Sequence, residues 1–191
     1  MLTYSITSNH THLLVRAKDS ESISAFMQKL EGEFAEWYNL RKKNRSGAFW
    51  GGRYWSTMVE TGQYVRTCMR YVDLNMVRAG VVEHPEEWEW CGYSELVGGR
   101  QRYRLLDLGE VLDLLEYDSV EDFREEYQRG IKEAIEKRLL SREACWTESI
   151  AVGSEPFVRD VGEKTIKRVE LSYEATGQSQ WVVREQHAAY V

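Results

Sequence analysis

The sequence predicts an α+β chain, and three features predict it. Residues 2–7 (LTYSIT) and 10–16 (HTHLLVR) alternate side-chain character and carry β-branched residues, as short strands do. Longer stretches after them repeat their apolar residues at a helical period. The C-terminal end returns to strand-like runs, VELSYEA and QWVVRE, around the turn residues TGQS. The chain thus combines short strands with helices.

Taken in order, 2–7 and 10–16 are two short strands or one broken strand. Asp19 and Ser20 look like a helix start. From Ile23, the residues Phe26, Met27, Leu30, Phe34, Trp37, Tyr38 and Leu40 follow a helical period, and Gly47 in RKKNRSG supplies the stop. Gly51-Gly52 reads as a bend and 53–60 as a strand. Thr61 can cap a helix over 62–77, which Gly80 ends. Pro85 punctuates, and Trp88 and Trp90 are expected to pack back on the core, as are Trp50 and Trp55. After a soft linker near VGGRQR (97–102), LLDLGEVLDLLEY and SVEDFREEYQRGIKEAIEKRLL read as amphipathic helices, the second laced with i,i+4 charge pairs. WTESIAVGSEPFVRDVGEKTI suggests a turn and another helix. The domain reading is therefore 1–97, followed by a mostly helical extension, 98–191.

The chain has 191 residues, 42% apolar and 29% charged, which is the composition of an ordinary globular protein. It has no apolar run long enough to span a membrane and no signal-peptide pattern. Cys68, Cys91 and Cys145 are odd in number and form no CxxC pair. They read as buried small hydrophobes in a reducing compartment, the cytoplasm, and exclude a structural zinc framework. The net charge of −6 is segregated: residues 40–80 hold 8 basic and 2 acidic residues, whereas 81–191 hold 14 basic and 24 acidic. Screening keeps such charge local, so the basic middle can attract a polyanion; the plain alternative is a solvated basic face. The acidic tail would oppose nonspecific DNA binding or pack over the basic face.

His10 and His12 lie two apart in SNHTHLLV, so on a strand they point the same way. Two imidazoles suit a divalent metal, yet two ligands do not make a site. Tyr71 and Asn75, four apart on the predicted helix, share one face. An amide oxygen beside two imidazoles gives a mixed nitrogen/oxygen set that suits Mg²⁺ or Mn²⁺ when a phosphate completes the shell. A tyrosine one turn away could attack that phosphate and form a covalent phosphotyrosine. On helical spacing alone the plainer reading of Tyr71, a core tyrosine like Tyr64, is the stronger. Arg41, Lys42, Lys43 and Arg45 cluster after the first helix, Arg53 precedes Tyr54 and Trp55, and Arg66, Arg70 and Arg78 ride the tyrosine helix. Arginine beside aromatic rings suits phosphate contact and base stacking.

SNHTHLLV, GAFWGGRYWSTMVE and YVRTCMRYVDLNMVRAGVVEHPEEWEWCGYSE, in this order over about residues 4–96, resemble the REP-associated tyrosine transposases. These are IS200-like, single-tyrosine members of the HUH superfamily. The tail from WTESIAVGS onward also resembles the extension of one branch. The resemblance implies a ferredoxin-like (RRM-like) antiparallel sheet with helices on one face. It implies cleavage and joining of single-stranded DNA near hairpins through a 5′-phosphotyrosine, dependent on Mg²⁺ or Mn²⁺. By position, His10, His12 and Asn75 become the metal ligands and Tyr71 the nucleophile. Thr11 stands where the family often has an apolar residue, and it still suits a strand. Members usually carry a few tens of residues before this HxH, forming a first strand and helix; here nine precede His10. The expectation is an unpaired sheet edge unless another element or chain fills it. Two alternatives stand beside a working transposase: a relative that binds hairpin or single-stranded DNA without cutting it, and a structural module that works through its helical tail. Monomer and homodimer are both open.

Overall fold

The structure is a computed structural model that describes residues 1–42, 48–100, 102–165, 170–177 and 179–186. The chain is α+β and divides into two compact units, residues 16–55 and the combination of 1–15 with 56–191.

The larger unit begins with a hairpin. Strand β1 (Thr3–Ile6) pairs antiparallel with β2 (Thr11–Leu14), from Thr3 opposite Leu14 to Ile6 opposite Thr11. The Thr7 hydroxyl builds the turn. It donates to the His10 carbonyl at 2.8 Å and accepts from the His10 amide at 3.1 Å. The other edge of β1 is bonded as well: the Ile6 amide donates to the Trp90 carbonyl, and the Gly92 amide donates to the Tyr4 carbonyl, both at 2.8 Å. The segment around Cys91 thus fills the edge where the sequence suggested a gap. Only glycine fits at 92, because a Cβ there would stand 2.3 Å from Thr3 Oγ1.

Helix α2 (Gln63–Asp73) packs against β1, β2 and β3 (Met58–Val59), and buries seven of its eleven residues. Its N-cap is Gly62, at φ 72° and ψ −129°, a conformation that suits glycine; Thr61, the expected cap, lies outside. The predicted 62–77 helix is interrupted. At Leu74 ψ opens to 6°, and a short helix, α3 (Asn75–Arg78), follows before Gly80 turns at φ 70°. The predicted 53–60 strand shrinks to Met58–Val59, because only these residues find a strand partner, β4 (Ala151–Gly153).

The chain then passes a 3₁₀ turn at Pro85–Glu87 and α4 (Tyr93–Leu96). Helices α5 (Leu108–Leu115) and α6 (Val120–Glu136) follow, capped by Asp107 and Ser119. Met69, Leu96, Phe123, Tyr127 and Ile131 meet in the main core, so α6 packs with the tyrosine helix. Beyond α7 (Cys145–Glu148), β4 continues into α8 (Glu155–Lys164). The expected terminal hairpin forms as β5 (Leu171–Ala175) and β6 (Trp181–Glu185). The second sheet therefore has the order β3-β4-β6-β5, with β3 and β4 parallel. Of the strands in the extension, β5 and β6 are the expected hairpin, and β4 lies where a turn was expected. All three cysteines are buried and free, as predicted. Trp90, expected in the core, is half exposed, while Trp88 packs partly against it.

In the smaller unit, α1 (Ser20–Arg41) starts as predicted, with Asp19 accepting from the Ser22 amide at 2.7 Å. It buries none of its residues, contrary to the expectation from its apolar period. Its aromatic rings gather Phe49 and Trp50 instead, and the Trp50 indole donates to the Glu31 carbonyl at 2.9 Å. Trp55 is exposed rather than in a core. Gly47, the predicted stop, lies outside the described residues.

Candidate active site around Tyr71

The hairpin and α2 bring three of the four predicted residues together. The His10 and His12 rings are 5.0 Å apart, centroid to centroid, edge to face, and the Tyr71 ring lies 6.3 Å from that of His12. Two strand positions and one helix position meet because α2 packs across the hairpin.

Each side chain is held. His10 Nδ1 is 2.8 Å from Asn9 Oδ1 and 3.0 Å from Thr7 Oγ1. With the proton on Nδ1, this pair orients the ring and leaves the Nε2 lone pair free, the usual arrangement of a ligating histidine. Burial, then the neighbouring His10 and Arg78, pushes His12 down to about 4, so its imidazole is neutral at pH 7. Asn75 opens α3 and is buried. Two imidazoles suit a divalent cation that also takes phosphate oxygens, and an amide oxygen such as that of Asn75 is a compatible further donor. Among the described residues no three His, Cys, Asp or Glu side chains form a group that could hold a metal ion.

Tyr71 is 7% exposed. Burial raises its pKa, opposed by the positive charges of Arg78 and Arg142. The Arg78 guanidinium stacks 3.9 Å over the Tyr71 ring and donates to the Tyr71 carbonyl at 3.2 Å. The Trp146 ring stands 6.2 Å from that of Tyr71, its indole N–H donating to Glu143 at 3.0 Å. Sequence reading did not find Arg142, Glu143 or Trp146 at this site, because nothing in a helical period says which distant segment covers a face. Asn9 and Thr7 were more legible, as turn residues next to the HxH.

The other basic residues scatter. Arg41 stacks 4.2 Å over Trp37, Lys42 lies 5.9 Å from the Tyr38 ring, and Arg53 lies 5.5 Å from the Tyr54 ring, all in the smaller unit. Lys43 and Arg45 lie outside the described residues. Arg66 pairs with Glu126 of α6, so the acidic extension does meet the basic helix at this point. Arg70 lies against Gly130, away from the histidines.

Among the described residues no helix is long and apolar enough to cross a membrane. No curated protein and no solved structure matches the chain. A family model described as "Transposase IS200 like" matches residues 1–75, a span that holds the HxH, Tyr71 and Asn75. The match brings with it transposase function in general, the cutting and joining of DNA, and DNA as partner. Over these 75 residues the chain is similar to the IS200-like transposases.

Proposed function

We propose that this protein cuts and rejoins single-stranded DNA with hairpins, using Tyr71 as nucleophile and His10, His12 and Asn75 to hold Mg²⁺ or Mn²⁺. The observation that carries the reading is the approach of Tyr71 to the paired histidines from a separate element. The β1–β2 hairpin, with α2 packed across it, would be the part of a ferredoxin-like sheet that presents the site.

A bound divalent ion would polarise the phosphoryl oxygens and spread the charge of the transition state. The chain's own residues supply the rest. Tyr71 is protonated at neutral pH, since its pKa is raised above the ordinary tyrosine value. The Arg78 guanidinium opposes that rise and favours the phenolate as the proton leaves; such a contact contributes about 0.5–2 kcal/mol. Tyr71 Oη attacks phosphorus, the Oη–P bond forms, and the P–O3′ bond breaks. The leaving oxygen takes up a proton as a free 3′ hydroxyl, and the 5′ side stays on the tyrosine. Attack by another 3′ hydroxyl reverses the step and joins the strands. Arg78, stacked on the ring, and the neighbouring Trp146 restrict its direction of approach.

The test is covalent trapping of labelled hairpin oligonucleotides with Mn²⁺ or with chelator. A denaturant-resistant adduct is expected with Mn²⁺, absent with chelator and absent in Tyr71→Phe. A folded protein that binds the DNA and forms no adduct would make it a binding-only relative.

A further inference from the structure

The tyrosine helix has a second face, which meets α6. Arg66 and Arg70, one turn apart on α2, face α6 across a cavity of about 190 Å³, with Tyr117, Phe123, Glu126 and Arg129 in its wall. The cavity is separate from the His10, His12 and Tyr71 cluster, none of which lines it.

Its charges are unevenly spent. Glu126 is engaged by Arg66 and by the Tyr117 hydroxyl. Glu133, also in the wall, is paired with Lys137 at 3.0 Å. Arg70 and Arg129 make no ion pair among the described residues, though both lie near Glu133, so three guanidinium groups share two carboxylates around the cavity. Arg66 Nε is buried with no acceptor, a donor waiting for an oxygen. Gly130 makes the space. A Cβ there would stand 2.9 Å from Arg70 Nη1 and 3.4 Å from its Cδ. Glycine inside a helix costs about 1 kcal/mol against alanine, and here it lets the guanidinium lie across α6.

Excess guanidinium charge, an orphaned N–H and an aromatic wall suit an anion with several acceptor oxygens. Guanidinium forks match phosphate better than a point charge does. We propose that this α2–α6 cavity binds a phosphate ester, with Arg70 and Arg129 supplying the charge and Arg66 Nε a buried donor. The phosphate belongs either to a DNA strand or to a free mononucleotide. Only the first source rests on the proposed DNA reaction, and neither needs Tyr71.

The experiment is calorimetric titration of the full chain with inorganic phosphate, with thymidine 5′-monophosphate and with a single-stranded oligonucleotide across a salt series. Arg129→Gln is the primary variant, since Arg129 is exposed and its loss leaves the core intact. Arg70→Gln and the cavity-filling Gly130→Leu accompany it, with the urea midpoint of each as a control for folding. Tyr71→Phe runs in parallel and is expected to bind like wild type. If DNA is the source, each arginine variant weakens the oligonucleotide and lowers its salt slope by about 0.7, one single-strand phosphate contact. If a free nucleotide is the source, the monophosphate or inorganic phosphate weakens at least tenfold while the oligonucleotide does not change. Unchanged affinity and salt slope for all three probes in folded Arg129→Gln would overturn the proposal. An adduct lost in Tyr71→Phe with the cavity silent would leave the proposed reaction standing without it.

Discussion

Helices α1 and α2 both carry an apolar period, yet they have opposite fates. Helix α1 runs 22 residues and buries none of them, whereas α2 runs 11 and buries seven. The difference lies in what meets each face. Helix α2 is met by β1, β2, β3 and α5. The rings of α1 meet mainly one another and Phe49 and Trp50. A period reports that a face is apolar and says nothing of what covers it. Only the covered helix can hold a side chain to the tolerance that chemistry demands. The place of Tyr71, the proposed nucleophile, on α2 is consistent with that logic.

The sharpest way to test the comparison is to remove single groups from α2. Tyr71→Phe should abolish the covalent adduct while leaving the thermal midpoint within about 2 °C, because only the hydroxyl is lost. A variant that loses the adduct by unfolding would show the tyrosine to be structural. His12→Ala should come next, reducing Mn²⁺-dependent trapping by at least a factor of about 100, the upper end of effects around a ligand shell. Mn²⁺ binding that does not change in this variant would remove His12 from the ligand set. For stability, Met69→Ala should cost about 2–5 kcal/mol in urea unfolding, since Met69 is fully enclosed.

A pH series sharpens the same contrast. Asp73 of α2 accepts from Thr3 of β1 at 2.5 Å and from Tyr127 of α6 at 2.7 Å, and so ties the hairpin to the extension. Burial, opposed by those two hydrogen bonds, pushes it up to about 7 from 3.8. The folded chain then keeps a proton that the unfolded chain has released. The protonated form's contribution to stability is complete below about pH 4 and is lost as pH rises through 7. His12 works the other way, its contribution falling as pH drops from 6.5 toward 4. Subtracting the unfolding curve of Asp73→Asn from that of wild type isolates the carboxyl, and the difference should decline between pH 4 and 7. A flat difference would mean that Asp73 is ionised throughout.

The legible parts of this chain are those set by local chemistry. Asp19 caps its helix as its sequence suggests, and the terminal hairpin lies where its strand-like runs and turn residues put it. The grouping of His10 with His12 followed from strand alternation. The parts that were not legible are set by distant partners. Strand β4 has three residues, too few for a period, and exists through β3 and β6. Trp146 reaches Tyr71 across 75 positions of sequence. The pairing of β1 with residues 90–92 is made by backbone groups, which side-chain patterns do not encode. The Leu74 break separates Tyr71 from Asn75 by an irregular turn that a four-residue spacing does not reveal.

The smallest expected effect lies on α1. Leu30 is 40% exposed there, against 0% for Met69 on α2. Truncating a side chain that still meets water removes few contacts and leaves no enclosed cavity, so Leu30→Ala should cost under about 1 kcal/mol. Leucine and alanine have similar helix propensity, so the backbone adds little to that figure. The two truncations, measured by the same urea unfolding, therefore compare coverage alone. A Leu30→Ala cost near that of Met69→Ala would mean that something encloses the α1 face in solution. The apolar period would then have reported burial on both helices, and the contrast between them would fall.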